Sequence, residues 1–512
     1  MIRLLRIGSV AAAGALAAGL ALAPANADEL STLRANNELL QQRLDQLAQV
    51  GLQHPNLPPG TPSIAGSFPR SFLIPGTNTS IEIGGFVDLH ASYFFQGGGQ
   101  NSNAAVPPGT GVALAAGITL DHVGPTHADN SGAINLSKDW FRMSASESRL
   151  FVETRTPTAW GQALSHLEFD FYGCTAGGDF CTDLNRATNP DIPRLRLAYG
   201  TLGGFLAGQT WVPGNDLAAG AEIFDFFGTP GTWGFARAPQ IGYKAPLAWI
   251  PGGTVGVYLV QPTAELATPG GAFESDCGAL SQTGTNCYAP TVGENPLKDP
   301  LPDFAWVLNF QQPWGHFQLH GMVREEQVKD ATFLDKSYIG YGGGFSGAVH
   351  PNWFGWSKDN LGFQAFAGVG MGHWSNWTGG SNGTTQSLAS NFGGPGMYGS
   401  VGGPKDAASA ALVSFTQVQQ WGGAVNYQHW WTPTVRTNVA YGIGHQDLPV
   451  ALLGGAKSPE YNTELQVLDA NLIWSPVPFI NTGVEYTWDH RFTVFHNSGD
   501  AHILSYVFRV RF

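Results

Sequence analysis

The chain has 512 residues, enough for several soluble domains, but only 12% are charged while 12% are aromatic and 68 are glycine. The charged share is about half the usual one, and a mean hydropathy of -0.07 excludes a helical membrane protein. The formal net charge of -13 could be read as repulsion of nucleic acid or anionic membranes, but acidic surface loops give the same sum, so it says nothing of an interior.

Residues 1–27 read as a signal peptide. Arg3 and Arg6 precede an apolar stretch over 7–22, and Ala25-Asn26-Ala27 is a small-residue cleavage site before Asp28. The alternative, a retained membrane anchor, is weakened by the short apolar core and the lack of a stop-transfer flank. Residues 28–50 carry heptads, with Leu30 and Leu44 at a, Leu33, Leu40 and Leu47 at d, and Asn37 at the middle a position. A buried Asn there costs stability and fixes register, so a short periplasmic coiled coil that holds subunits together is expected. A frayed amphipathic tether is the alternative. Residues 51–80 are Pro-rich and predict a stiff spacer.

From 81 to 512 the sequence becomes short alternating runs. Over 81–95, Ile81, Ile83, Val87, Leu89, Ala91, Tyr93 and Phe95 share one parity, and Glu82, Asp88, His90 and Ser92 the other. The same pattern sets Leu167, Phe169 and Phe171 against His166, Glu168 and Asp170, and Phe317, Leu319 and Val323 against His316, Gln318, His320 and Arg324. A soluble sandwich alternates too, but a membrane barrel turns the plan inside out. Connection lengths favour the barrel. Compact turns near 156–161, 201–204, 246–253, 311–315, 351–360, 431–434 and 475–478 alternate with mostly longer polar connections. Seven short turns between two periplasmic termini give about sixteen antiparallel strands, enough for a water-filled bore. The glycine runs at 342–344 and 368–372 are expected on strands, where close packing explains them. The last strand alternates Tyr506, Phe508, Val510 and Phe512 with Val507, Arg509 and Arg511, and the chain ends on Phe512. A terminal aromatic on such a strand resembles the signal read by the barrel-assembly machinery.

Four cysteines suit an oxidising compartment. Three pairings are possible; local spacing favours Cys174 with Cys181 and Cys277 with Cys287, with free thiols as the alternative. Their spacing does not suit a metal, and no phosphate loop, dinucleotide fingerprint, His-Glu-x-x-His or basic aromatic patch is present. No cofactor, no metal, no nucleic-acid partner and no enzymatic activity are expected.

Three stretches resemble the DcaP-like trimeric porins of Gram-negative outer membranes. They are FLIPGTNTSIEIGGFV at 72–87, SESRLFVETRTP at 146–157, and RLAYGTLGGFLAGQTW at 196–211 continuing into Ala238-Pro239-Gln240-Ile241. With the heptads and LIWSPVPFINTGVE at 472–485, the likeness touches both ends and the middle of the chain. It implies a homotrimer of sixteen-stranded barrels in outer-membrane lipid, a periplasmic coiled coil, and a pore favouring small anionic solutes such as dicarboxylates.

A diffusion channel selects by bore, loop and lining charge. Arg142, Arg149, Arg155, Arg194, Arg196 and Arg237 cluster in the first part of the barrel. Parity turns Arg149, Arg155, Arg194 and Arg196 inward, and an arginine facing mid-bilayer lipid would cost roughly 2 to 4 kcal/mol. A guanidinium stays charged and offers carboxylates a fixed fork, so these residues are candidates for an anion ladder. The alternative is that they only brace the wall by pairing with Glu147, Glu153, Glu168 and Asp170. The third long connection, 213–235, carries Glu222, Asp225, Phe226 and Phe227 and is expected to fold inward as a constriction. Two other functions remain possible: a porin for neutral solutes such as sugars, stacking on Trp211, Trp233 and Trp430, or a structural envelope or adhesin barrel.

Overall fold

The computed structural model describes residues 65–96, 139–173, 192–224, 228–234, 236–262, 266–268, 271–273, 297–298, 300–329, 335–376, 397–399, 415–447, 462–493, 496 and 498–512. The heptad positions Leu30, Leu33, Asn37, Leu40, Leu44 and Leu47, the cysteines Cys174, Cys181, Cys277 and Cys287, and Asp225, Phe226 and Phe227 lie outside these residues.

The chain divides into two units after Glu82. In the first, Phe72–Leu73 pairs antiparallel with Ser80 and Ile81. The turn is set by Ile74-Pro75-Gly76-Thr77: Pro75 fixes its own φ, Gly76 takes φ 78, and the Thr77 N–H donates to Ile74 O at 3.1 Å. Where a stiff spacer is expected, the part of it within the described residues folds back, because this turn chemistry permits pairing. Arg70 holds Glu82 at 2.7 Å.

The second unit is a closed antiparallel barrel of sixteen strands among the described residues. They are β1 (Ser80–Gln96), β2 (Trp140–Ser144 and, after a break, Arg149–Thr158), β3 (Gly161–Gly173), β4 (Ile192–Leu202), β5 (Phe205–Trp211), β6 (Arg237–Pro246), β7 (Gly253–Val260) and β8 (Asp303–Gln312). There follow β9 (Gly315–Lys329), β10 (Asp335–Val349), β11 (Asn360–Val369), β12 (Gln419–Trp430), β13 (Val435–Asp447), β14 (Asn462–Val477), β15 (Ile480–Thr493) and β16 (Ser498–Arg511). The sheet closes where β1 pairs with β16, from Phe86 opposite Arg511 to Gln96 opposite His502. The short connections fall at 159–160, 203–204, 247–252, 313–314, 350–359, 431–434 and 478–479, as the spacing of turn residues predicts.

Burial follows the inverted plan. On β1, Val87 and Leu89 are exposed while Asp88 and His90 are buried; on β16, Leu504, Tyr506 and Phe508 are exposed while Ser505 and Val507 are buried. A sandwich would hide those apolar side chains; their outward parity is the pattern of a membrane barrel's wall. At the end of the barrel that carries the short turns, Trp160, Trp249, Trp314, Trp431, Phe479 and Phe512 are exposed, an aromatic band of the kind found at a membrane interface. The last residue is tied in, with Phe512 N–H donating to Gly85 O at 3.1 Å and Gly85 N–H to Phe512 O at 3.2 Å.

One glycine run departs from expectation. Gly342 to Gly344 lie on β10, but β11 ends at Val369. Gly370 and Gly372 take φ of 64 and 54, a conformation that side chains resist, and the chain leaves the wall there to bury Met371 and Trp374.

Candidate functional site: an arginine wall facing an inward loop

Strand pleating places alternate residues of β2, β3, β4 and β6 on the inner face. Arg194 grips Asp170 with both arms of its fork, Nε to Oδ1 at 3.0 Å and Nη2 to Oδ2 at 2.7 Å. Arg196 bridges two acids, donating to Glu168 Oε1 and to Asp170 Oδ2, each at 2.7 Å. Arg149 reaches Glu168 at only 3.6 Å and lies over the Phe86 ring, 5.2 Å from its centre. Its Nε has no hydrogen-bond partner. Arg155 is held by Glu153 at 2.6 Å, and the same carboxylate meets His166 Nδ1 at 3.0 Å.

Arg237 stands apart from these pairs. Its guanidinium lies 5.0 Å above Trp211, which Arg196 also covers at 5.9 Å, and its Nη1 is buried without a hydrogen-bond partner. It is within electrostatic reach of Arg149, Arg194 and Arg196. This patch therefore sets Arg149, Arg194, Arg196 and Arg237 against Glu168 and Asp170, with Glu147 also within electrostatic reach of Arg149, four cations to three anions among these described residues. Within a low-dielectric wall such an excess is felt well into the lumen.

The connection between β5 and β6 supplies the facing surface. Its neck is closed by Val212 N–H donating to Ala236 O at 3.0 Å. Beyond the neck the chain runs past the inner face of β9 to β15, one strand after another. Gln318 of β9 donates to Gly214 O at 2.7 Å, and Asp216 Oδ2 accepts from Ser346 of β10 and meets His316 Nε2 of β9, both at 2.7 Å. Gln364 of β11 donates to Asp216 O at 3.2 Å, and Asn426 of β12 to Ala219 O at 2.8 Å. Glu222 accepts from Gln428 of β12 at 2.9 Å and pairs with both arms of Arg436 on β13, while Asn471 of β14 donates to Glu222 O at 2.8 Å. Finally Phe224 N–H donates to both oxygens of Glu485 on β15, at 2.9 and 2.8 Å. On the return leg Gly231, φ 81, sits where a Cβ would strike Gly423 and Ile443 backbone within 2.5 Å. Glycines in both segments allow this close approach.

The sequence-derived candidates fall unevenly on this picture. Arg149, Arg155, Arg194, Arg196 and Arg237 stand on β2, β4 and β6, and Arg142 pairs in register with Ser92. Glu222 joins the inward loop to the wall, whereas its three companions Asp225, Phe226 and Phe227 fall outside the described residues. Trp233 is a correction: it is 1% exposed and donates Nε1 to Pro213 O at 2.8 Å, so it offers no stacking surface. Trp430 is covered by Lys358 at 5.2 Å and Arg436 at 4.9 Å. Asp216, Arg436 and Glu485 were not singled out by the sequence, because each acquires its role only from a partner more than 100 residues away.

No protein-family model and no curated protein sequence matches the chain. Solved structures do. The outer membrane channel DcaP of Acinetobacter baumannii is 18% identical with a TM-score of 0.61, covering 86% of this chain and 99% of its own. OmpT, an outer membrane protein of Vibrio cholerae, is 8% identical with a TM-score of 0.44, covering 86% and 100%. An anion-selective porin from Comamonas acidovorans is 9% identical with a TM-score of 0.44, covering 85% and 100%. At 18% identity the DcaP likeness is one of fold, and it extends over nearly all of that channel.

Proposed function

We propose that the chain is a porin of the Gram-negative outer membrane, a passive diffusion channel that favours small anionic solutes such as dicarboxylates. It performs no bond chemistry; selection lies in the width left by the inward loop and in the charge of the lining. The observation that carries the reading is the uneven patch of Arg149, Arg194, Arg196 and Arg237 against Glu147, Glu168 and Asp170. Guanidiniums held by neighbours keep a fixed orientation, and the surplus cations are left to meet a carboxylate in transit. The loop from Pro213 through Glu222 to Phe224, with Asp225, Phe226 and Phe227 in its continuation, serves as the constriction on the opposite side.

In this reading the chain works as a homotrimer. Leu30, Leu33, Asn37, Leu40, Leu44 and Leu47 join three periplasmic helices, Cys174 with Cys181 and Cys277 with Cys287 staple outer loops, and Phe512 guides assembly into the membrane. Liposome swelling tests the reading. Faster swelling in a dicarboxylate than in a disaccharide is expected; equal rates would favour a channel for neutral solutes. Absence of conductance in planar bilayers would leave only a structural barrel.

A further inference from the structure

A second cluster lies at the seam of the barrel, adjoining the arginine patch, where Arg149 and Arg509 lie against the same Phe86 ring at 5.2 and 4.3 Å. Asp88 and His90 are two residues apart on β1 and so share its inner face. Glu147 joins them from the break in β2, between Ser144 and Arg149. Each offers one ligand atom, and these atoms lie within 4.8 Å of one another. All three side chains are buried, His90 to 1% exposure.

What distinguishes the cluster is which atoms are satisfied. Arg509 of β16 donates Nε to Asp88 Oδ2 at 2.6 Å and Nη2 to Glu147 Oε2 at 3.1 Å. The other oxygens, Asp88 Oδ1 and Glu147 Oε1, and both nitrogens of His90 are buried with no hydrogen-bond partner. Buried polar atoms are rarely left so, and here four of them belong to three adjoining residues. His90 Nδ1 stands 3.6 Å from Glu147 Oε1. That is too long for a good hydrogen bond and matches the separation of two neighbouring donors that each lie about 2.1 Å from one ion.

From this we infer that Asp88, His90 and Glu147 form a binding site for a divalent transition cation of the zinc type. One imidazole and two carboxylates are a borderline donor set that suits Zn2+ and Co2+ better than the all-oxygen ions Mg2+ and Ca2+. Arg509 acts behind the ligands, turning both carboxylates so that one oxygen of each is presented, as outer partners do in metal sites. Arg509 pairs with both carboxylates and Arg149 lies within electrostatic reach of Glu147, so the ion is held by its three ligands rather than by a net negative charge. Ser148 Oγ, accepting from the Asp88 N–H at 3.0 Å, ties the β2 break to β1 and sets Glu147 at this distance. Cysteine spacing could not announce such a site, because its third ligand comes from a different strand.

Full-length protein purified in detergent and stripped with a chelator is to be titrated with Co2+, followed by visible ligand-field absorption, and then with Zn2+ as competitor. One saturable Co2+ site per chain, displaced by Zn2+, is expected. His90→Ala and Glu147→Gln should each weaken it by at least about tenfold, with the heat-modifiable migration of a folded barrel retained. Should either variant fail to fold, X-ray absorption of the Zn2+-loaded wild type decides: one imidazole nitrogen with oxygen neighbours supports the site. Two or more imidazoles, no saturable binding, or unchanged affinity in both variants would overturn it.

Discussion

The walls formed by β2 to β6 and by β9 to β15 are built on one alternating pattern, yet they use their inward polar groups in opposite ways. On the first wall the partners are neighbours: Arg194 and Arg196 meet Asp170 and Glu168 on the next strand, and cations remain in surplus. On the second, Gln318, Gln364, Asn426, Arg436, Asn471 and Glu485 reach across to the inward loop. Arg196 and Arg436 make the contrast plain, since both are buried arginines paired with glutamate. The Glu168 partner of Arg196 belongs to the wall itself, so the pair fixes charge in place; the Glu222 partner of Arg436 belongs to the loop, so the pair fixes a segment of chain. The same kind of ion pair thus fixes charge within the wall on one side and a segment of chain on the other.

Deleting residues 218–227 should disturb that contrast most. Removing the loop from the second wall should raise single-channel conductance by roughly twofold or more, and a conductance equal to wild type would place the loop outside the ion path. A pair of glutamate variants separates the two roles. Glu222→Gln leaves the charged Arg436 without its carboxylate partner and should loosen the loop, costing about 1–3 kcal/mol in urea unfolding and adding fluctuation to the open-channel current. Glu168→Gln should leave that current quiet and raise anion preference about twofold, as expected for one charge of about 0.5 kcal/mol near a watery path. Exchange of these two phenotypes would dissolve the distinction between the walls.

The smallest effect belongs to the 350–359 turn, which tests whether polar pairing that joins neither the arginine patch nor the inward loop matters. Burial tends to raise the Asp359 carboxyl, but the Tyr427 hydroxyl at 2.5 Å, His429 Nδ1 at 2.8 Å and the Trp430 N–H at 3.1 Å hold it below the usual carboxylate range. A lowered folded-state pKa means that this stabilisation is present above the unfolded value of about 3.9 and is lost as pH falls through the folded value. Asp359→Asn should therefore cost about 1 kcal/mol at neutral pH and flatten the stability profile below about pH 4. An unaltered acid profile in the variant would assign the loss to other carboxylates.

The wall was legible in the sequence because a period of two needs no partner to be seen. Val87 and Leu89 against Asp88 and His90 declare both faces of β1, and compact turns rich in Gly, Pro and Trp mark where strands reverse. The site was legible only in part. Arg149, Arg194 and Arg196 announce themselves by type and parity, and Glu222 by its place in a long connection. Asp216 and Glu485 do not, since a single carboxylate in a loop or strand carries no sign of the Ser346 hydroxyl or Phe224 N–H it will meet. Trp233 misled for the same reason: an aromatic in a loop reads as exposed until the chain is seen to fold back beneath Trp374, 5.9 Å away. Long-range pairing, rather than local pattern, decides these cases.

The reversal potential of single channels across a KCl gradient, for wild type and for Arg149→Ala combined with Arg237→Ala, tests the role of the first wall most directly. Wild type should pass chloride in preference to potassium, and the double variant, with two of its four clustered guanidiniums removed, should fall to near-zero selectivity at undiminished conductance. An anion preference that survives both substitutions unchanged would contradict the assignment of selectivity to these arginines.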